Sequence, residues 1–208
     1  MTKMDLPGSA RQHRVAFISG HIDLPEGQFL EHYQTALDTA IATHDEFILS
    51  NAGGADSLAL QYLLQHDVEP SRITIYIHNP PEHRQKNSNA TMRAVDELRT
   101  RDATLEKYRN QGLNVQVING WHTQRDAAMT AASDYDILWV RSDEETKLLY
   151  GQNYRPDRIS GTQKNRNRRD DAAQGGDEPQ ADDWQKLAKE KDRVPGFEPT
   201  TRQREGSA

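Results

Sequence analysis

Residues that could bind a phosphate lie at positions 50–59, between an apolar run and an alanine- and leucine-rich segment. Gly53 and Gly54 stand at the turn of a strand–turn–helix pattern, where free backbone amides and the helix dipole favour an anion. Glycine also lets a ligand approach the main chain closely. Asp56 or Ser57 can cap the following helix. The sequence leaves open whether this is a phosphate-binding loop or a plain glycine turn.

Carboxylates near this turn could support cleavage of an N-glycosidic bond. That reaction passes through an oxocarbenium-like transition state, which a carboxylate beneath the sugar stabilises. Asp56 and Arg125 are the predicted catalytic pair, with Arg125 as a phosphate clamp because its planar guanidinium grips two oxygens. Asp23 and Glu26 are further carboxylates within reach. The alternatives are a helix cap for Asp56 and an ordinary ion pair for Arg125.

Other polar segments also adjoin apolar strands, and together they predict one crevice. The predicted ligand-binding residues are Ser19, Gly20, His21, Asn51, Gly53, Gly54, Ser57, Asp126, Ser142, Ser160, Gly161 and Thr162. The run from Ser160 to Thr162 could begin a phosphate-facing helix, or merely a helix that enters a polar tail. His21 could donate to a ligand or be solvated. The histidines lack metal-ligand spacing, so no metal or cofactor is predicted.

Strand-like and helix-like patterns alternate along the chain. Strands are predicted at 15–18, 47–50, 73–77, 113–118 and 137–140, and helices at 28–43, 57–65, 89–110 and 123–133. Alternation of this kind predicts an α/β fold with a mostly parallel sheet and helices on both faces. In such sheets, ligands bind at the carboxyl ends of the strands.

The composition changes along the chain. The expected organisation is a flexible leader at 1–13, one domain at 14–169 and a disordered polar tail at 170–208. The tail carries few large apolar residues, namely Trp184, Leu187 and Phe197. It is either a solvating spacer or a segment that binds a partner.

Charge and composition exclude several classes of protein. The chain of 208 residues has a formal net charge of -6, which argues against binding of extended nucleic acid. With no cysteine it has neither disulfides nor zinc thiolates. Its mean hydropathy is -0.94, and no apolar run approaches the length of a membrane span. Because no signal-peptide pattern begins the chain, a cytoplasmic location is predicted.

Three motifs together resemble the SLOG superfamily, which contains the DNA-processing protein DprA, the LOG phosphoribohydrolases and YspA-like nucleotide-binding proteins. The motifs are Val15 to Gly20, the Gly53-Gly54-Ala55-Asp56 turn with Leu58-Ala59, and Arg125-Asp126 with Met129 ahead of Asp136 to Val140. The similarity is greatest to the YspA-like branch and covers roughly 14–169.

The resemblance implies a Rossmann-like domain that binds a nucleotide or nucleotide-derived small molecule, with the turn at Gly53 and Gly54 on the phosphate side. Together with the residue types, it leads to the prediction of a nucleotide or nucleoside monophosphate as the ligand. The phosphoribohydrolases carry a PGGxGTxxE signature, whereas here Ala52 replaces the proline and Asp56-Ser57 replace Gly-Thr. Their catalytic assignment therefore does not transfer intact. The open alternatives are an N-glycosidase, a non-catalytic nucleotide sensor and a tail-driven interaction protein. By analogy with the family, the helix at 89–110 is a candidate homo-oligomer face.

Overall fold

The computed structural model of the chain describes residues 13–80 and 88–174. Of the predicted leader, residues 1–12 lie outside this part of the chain. The tail from residue 175 onward, with its three large apolar residues, also lies outside it.

Within residues 13–80 and 88–174, five strands form one sheet in which every neighbouring pair is parallel. They are β1 (Val15–Ser19), β2 (Glu46–Ser50), β3 (Ile73–Asn79), β4 (Asn114–Asn119) and β5 (Tyr135–Leu138). The predicted α/β fold with a parallel sheet is confirmed. The fifth strand lies two residues earlier than predicted, so Trp139 follows the strand instead of lying within it.

In the described part of the chain, six α-helices alternate with or follow these strands. They are α1 (Glu26–Ala42), α2 (Ala55–Gln65), α3 (Ser88–Asn110), α4 (His122–Ala131), α5 (Asp143–Tyr150) and α6 (Gly161–Ala173). The predicted first four helices are present, with ends that shift by at most two residues. The fifth helix has no counterpart among the predicted elements. Among the described helices, none combines the length and apolar character needed to span a bilayer.

Alternating strand residues build two apolar clusters on opposite faces of the sheet. The larger one joins the sheet to α1, α2 and α3, and Phe47 and Leu49 of β2 belong to it. The smaller one joins the sheet to Met129 of α4 and includes Ile48, which lies between those two residues. Side chains alternate across a strand, so these neighbours face opposite sides. Helices therefore cover both faces, as predicted.

The strand order places a reversal at β1. The order across the sheet is β4-β3-β2-β1-β5. The chain runs outward from β1 to β4 and then returns to pair β5 with the other side of β1. In open α/β sheets, ligands bind in the crevice outside the carboxyl ends of the strands at such a reversal. The loops after β1 and β5 therefore flank the expected position of a site.

Candidate functional site

A cavity of about 370 Å³ lies beside the loops that follow β1 and β5. Its walls come from these two loops, from α5, from the segment 153–159 that follows α5 and from the first residues of α6. This volume is in the range of small-molecule sites. The cavity therefore coincides with the reversal of strand order.

Asp23, Arg141 and Tyr150 form a hydrogen-bonded group on the cavity wall. Arg141 Nη1 donates to Asp23 Oδ1 at 2.6 Å, and the Tyr150 hydroxyl donates to Asp23 Oδ2 at 2.9 Å. The Arg141 side chain is only 4% exposed, whereas that of Asp23 is 37% exposed. Burial alone would raise the pKa of Asp23, but the bonds from Arg141 and Tyr150 hold it below its ordinary value. Asp23 is therefore ionised at neutral pH.

His21 is fixed in the same wall. The Arg141 backbone amide donates to His21 Nε2 at 3.2 Å, so the neutral ring carries its proton on Nδ1. Burial and the charge of Arg141 lower the pKa of His21. The ring edge contacts Trp139, which in turn stacks on His32 with ring centroids 3.9 Å apart. These contacts restrain both loops that flank the cavity.

Cationic groups also line the cavity. Arg155 and Arg158 belong to its lining, and neither forms an ion pair within the described residues. Helix α6 begins beside them, and Ser160 Oγ accepts the Gln163 amide at 3.1 Å. The other amides of the first helical turn lack helical partners and carry the positive end of the dipole. This side of the cavity suits an anion.

The predicted phosphate turn packs against the loop after β1. Gly54 has φ 63°, and a Cβ there would lie 2.2 Å from the His21 carbonyl oxygen. The Ala55 amide donates to that same oxygen at 3.1 Å. At Gly53, the nearest atom to a Cβ would be 3.6 Å away. Gly54 therefore permits a close approach of two loops, and the turn supports the β1 side of the cavity.

The predicted catalytic pair is buried and does not line the cavity. Asp56 is 5% exposed, and its Oδ1 accepts the Ser50 amide at 2.8 Å. Burial raises the pKa of Asp56 to about 6, although the bonds from Ser50 and the charge of Arg125 oppose the increase. Arg125 donates to Asp126 Oδ1 from Nε at 3.0 Å and from Nη2 at 2.7 Å. The alternative role of Arg125 as an ion-pair partner is therefore observed. The N-cap of α2 is Gly54, so Asp56 lies inside the first turn of the helix and is not its cap residue.

The predicted ligand residues fall into two groups. His21, Ser160 and Gly161 line the cavity. The others do not line it, and these are Ser19, Gly20, Asn51, Gly53, Gly54, Ser57, Asp126, Ser142 and Thr162. Ligand contact at all of these residues stays a prediction.

Several residues outside the cavity have a structural role. The Ser57 hydroxyl donates to the Gly54 carbonyl, and Ser142 caps α5 through a reciprocal pair of bonds with Glu145. Thr162 is 3% exposed, and Ser19 Oγ is buried with no hydrogen-bond partner among the described residues. A Cβ at Gly20 would meet α1 and α2 side chains at 2.3 Å. Gly20, Ser57 and Ser142 therefore serve the packing and the helix starts that follow the strands.

Most of the lining residues had no role in the sequence-based site. Those with charged or aromatic side chains include Arg141, Tyr150, Tyr154, Arg155 and Arg158. They follow the last predicted strand, in a stretch without a repeating apolar stripe. The available signal was the pair of arginines a few residues before the Ser160-Gly161-Thr162 run, since cations ahead of a helix start favour an anion site.

Comparisons of this chain with protein-family models, with curated proteins and with solved structures found no match. The resemblance to the SLOG superfamily therefore stays a prediction from short motifs, as do the cytoplasmic location and the homo-oligomer face on α3.

Proposed function

We propose that the protein binds a nucleotide or nucleoside monophosphate in the cavity beside β1 and β5. The observation that carries this proposal is the cationic lining. Arg155 and Arg158 have no acidic partner among the described ion pairs, and they lie beside the first residues of α6. A phosphate group neutralises these charges and accepts hydrogen bonds from the guanidinium groups and helical amides.

The rest of the lining suits the remaining parts of a nucleotide. Tyr150 and Tyr154 provide aromatic surface against which a base can pack. Asp23 and His21 provide polar groups that are held in place by Arg141. A small number of fixed polar groups in a concave site is the usual basis of ligand orientation.

The test is a calorimetric titration of the full chain with a panel of nucleoside 5′-monophosphates. The double substitution Arg155→Gln and Arg158→Gln removes both cations, and we expect it to weaken binding at least tenfold. Arg166→Gln on exposed α6 surface is the matched control, because this arginine does not line the cavity. Equal affinity in the double variant, or no binding by any nucleotide, would contradict the proposal.

Hydrolysis of the N-glycosidic bond is a second candidate function, favoured by the ionised carboxylate of Asp23 on the cavity wall. In this reaction water adds to the sugar C1′ carbon, and the base departs with the bonding electrons and one proton. The carboxylate stabilises the positive charge that develops on the sugar. Chromatography of nucleotide incubations measures the free base. A non-catalytic binding module, by contrast, binds without any release of base.

If free base is released, two variants show whether Asp23 or Asp56 is the catalytic carboxylate. Asp23→Asn removes the charge on the cavity wall, whereas Asp56→Asn removes a buried carboxyl that does not line the cavity. We expect Asp23→Asn to abolish release and Asp56→Asn to retain it. The reverse result would return the catalytic role to Asp56, as the sequence predicts.

A further inference from the structure

We propose that Asp23 accepts hydrogen bonds from the sugar hydroxyls of the ligand, so that the site prefers ribose to 2′-deoxyribose. This inference rests on the proposed binding of a nucleotide in the cavity. It assigns a specificity-determining role to one residue of that cavity.

Asp23 has acceptor capacity left over. Its Oδ1 accepts one bond from Arg141 and its Oδ2 accepts one bond from Tyr150. An ionised carboxylate offers about four acceptor positions. The side chain is 37% exposed and lines the cavity. A ligand in the cavity therefore meets a carboxylate with unused lone pairs.

The charge of Asp23 restricts the ligand group that it contacts. A carboxylate accepts hydrogen bonds but donates none, and it repels a phosphate. The phosphate is drawn to Arg155 and Arg158, which have no acidic partner among the described ion pairs. The group beside Asp23 is consequently a neutral donor, and a sugar hydroxyl fits this requirement.

Tyr150 shows why the donor belongs to the sugar instead of the base. Its hydroxyl is bonded to Asp23 at 2.9 Å, and it also experiences the charge of Arg158. Asp23, Tyr150 and Arg158 all line the same cavity, and the charges of Asp23 and Arg158 both act on Tyr150. In a nucleoside monophosphate the sugar is bonded directly to the phosphate, whereas the amino groups of the base lie beyond the sugar. With the phosphate at Arg158, the sugar is therefore the part of the ligand that first reaches the neighbouring carboxylate of Asp23.

The carboxylate is also held rigidly. The Arg141 side chain is 4% exposed and keeps its charge beside Asp23 Oδ1, so the carboxylate does not readily turn away. A ligand without the hydroxyl covers Asp23 and leaves lone pairs unpaired. Sites built to bond a hydroxyl discriminate strongly against analogues that lack it. Because Asp23 is partly open to water, we expect a preference of about tenfold.

The experiment is a calorimetric comparison of AMP with 2′-deoxy-AMP, and of ribose 5-phosphate with 2-deoxyribose 5-phosphate. The second pair lacks the base and so isolates the sugar. In the unmodified protein we expect the ribo form to bind about tenfold more tightly in each pair. In Asp23→Asn the one remaining acceptor oxygen stays on Arg141 and the other position becomes an amide donor, so we expect the ratio to approach one. Asp143→Asn, which changes another carboxylate of the lining, is the matched control and should keep the preference.

Each outcome decides the matter. Binding of AMP with equal affinity for its deoxy form overturns the inference but leaves the proposed function intact. A tenfold preference that survives in Asp23→Asn also overturns it. If Asp23→Asn changes discrimination between AMP and IMP instead, Asp23 reads the base and the inference fails. Absence of all nucleotide binding overturns both proposals.

A second variant keeps the test valid if Asp23→Asn does not fold. Tyr150→Phe removes one of the two bonds that hold Asp23 and leaves the Arg141 bond in place. We expect the variant to fold and to show a smaller ribose preference. An unchanged preference would argue against the arrangement described here.

Discussion

Asp56 lies beneath the turn between β2 and α2, where its carboxylate accepts the Ser50 amide at 2.8 Å. Burial raises its pKa from the ordinary value of 3.8 to about 6. Between these values the folded protein holds a proton that the unfolded chain has released. Stability therefore decreases as the pH rises through this window, because proton binding favours the folded state there.

Asp56→Asn should remove the pH dependence of stability that comes from the Asp56 carboxyl. The amide oxygen of asparagine can still accept the Ser50 amide, but it does not ionise. We expect the stability of the variant, relative to the unmodified protein, to increase as the pH rises from about 4 to about 6. Urea unfolding across this range measures the difference, in which titration of other groups such as His21 cancels. A difference that is constant with pH would contradict the burial of an ionisable carboxyl at this position.

Gly54 gives a second prediction at the scale of single residues. Alanine would have to adopt φ 63° and place its Cβ 2.2 Å from the His21 carbonyl oxygen. We expect Gly54→Ala to lower the free energy of unfolding by about 2 kcal/mol or more, through backbone strain and displacement of the loop. Gly53→Ala is the control, because its nearest contact would be an ordinary 3.6 Å. Equal melting temperatures for the two variants would refute this account of the turn.

At the scale of elements, Arg169 connects α6 to the sheet through an ion pair and hydrogen bonds. This residue donates to Asp136 Oδ1 of β5 from Nε at 3.1 Å and from Nη2 at 2.7 Å, and to the Ser133 carbonyl oxygen at 2.8 Å. Asp136 is 9% exposed in its side chain. The pair thus fixes the helix whose first residues line the cavity.

Arg169→Met should weaken both the fold and the site. The substitution leaves a largely buried carboxylate without its cation, which costs about 3 kcal/mol in comparable pairs. Because α6 then loses its fastening to β5, we also expect weaker nucleotide binding. Chemical unfolding and calorimetry measure the two effects, with exposed Arg166→Met as the control. Unchanged stability would show that the ion pair does not hold the helix.

The sequence predicted elements whose residues face the core, because apolar periodicity records burial. α5 has no buried residue, and its apolar residues are confined to its last turn, so the helix lacks the repeating apolar stripe of a core-facing helix. Its start is instead marked by Ser142 and Glu145, which form a capping box. The pattern of Ser and Glu three residues apart was available in the sequence as a helix signal. The cavity residues Arg155 and Arg158 follow α5, and they were missed with it.

At the scale of the whole molecule, local patterns gave the strands but could not give their order. The pairing of β1 with β5 joins Phe17 to Asp136, residues that are far apart in the chain. The same pairing brings the loops after β1 and β5 together, so that Arg141 Nη1 lies 2.6 Å from Asp23 Oδ1. The sequence therefore predicted a site at the carboxyl ends of strands, but it placed the centre after β2. The reversal of strand order favours the loops after β1 and β5.

The most direct test is an amide NMR titration of the isotopically labelled chain with AMP. It compares the cavity beside β1 and β5 with the glycine turn after β2 in one measurement. If phosphate lodges beside α6, the amide signals of Gly161 and Thr162 shift in a saturable way, together with that of Arg141, while that of Gly53 stays in place. Saturable shifts confined to Gly53 and its neighbours, or no shifts at all, would contradict a nucleotide site in the cavity beside β1 and β5.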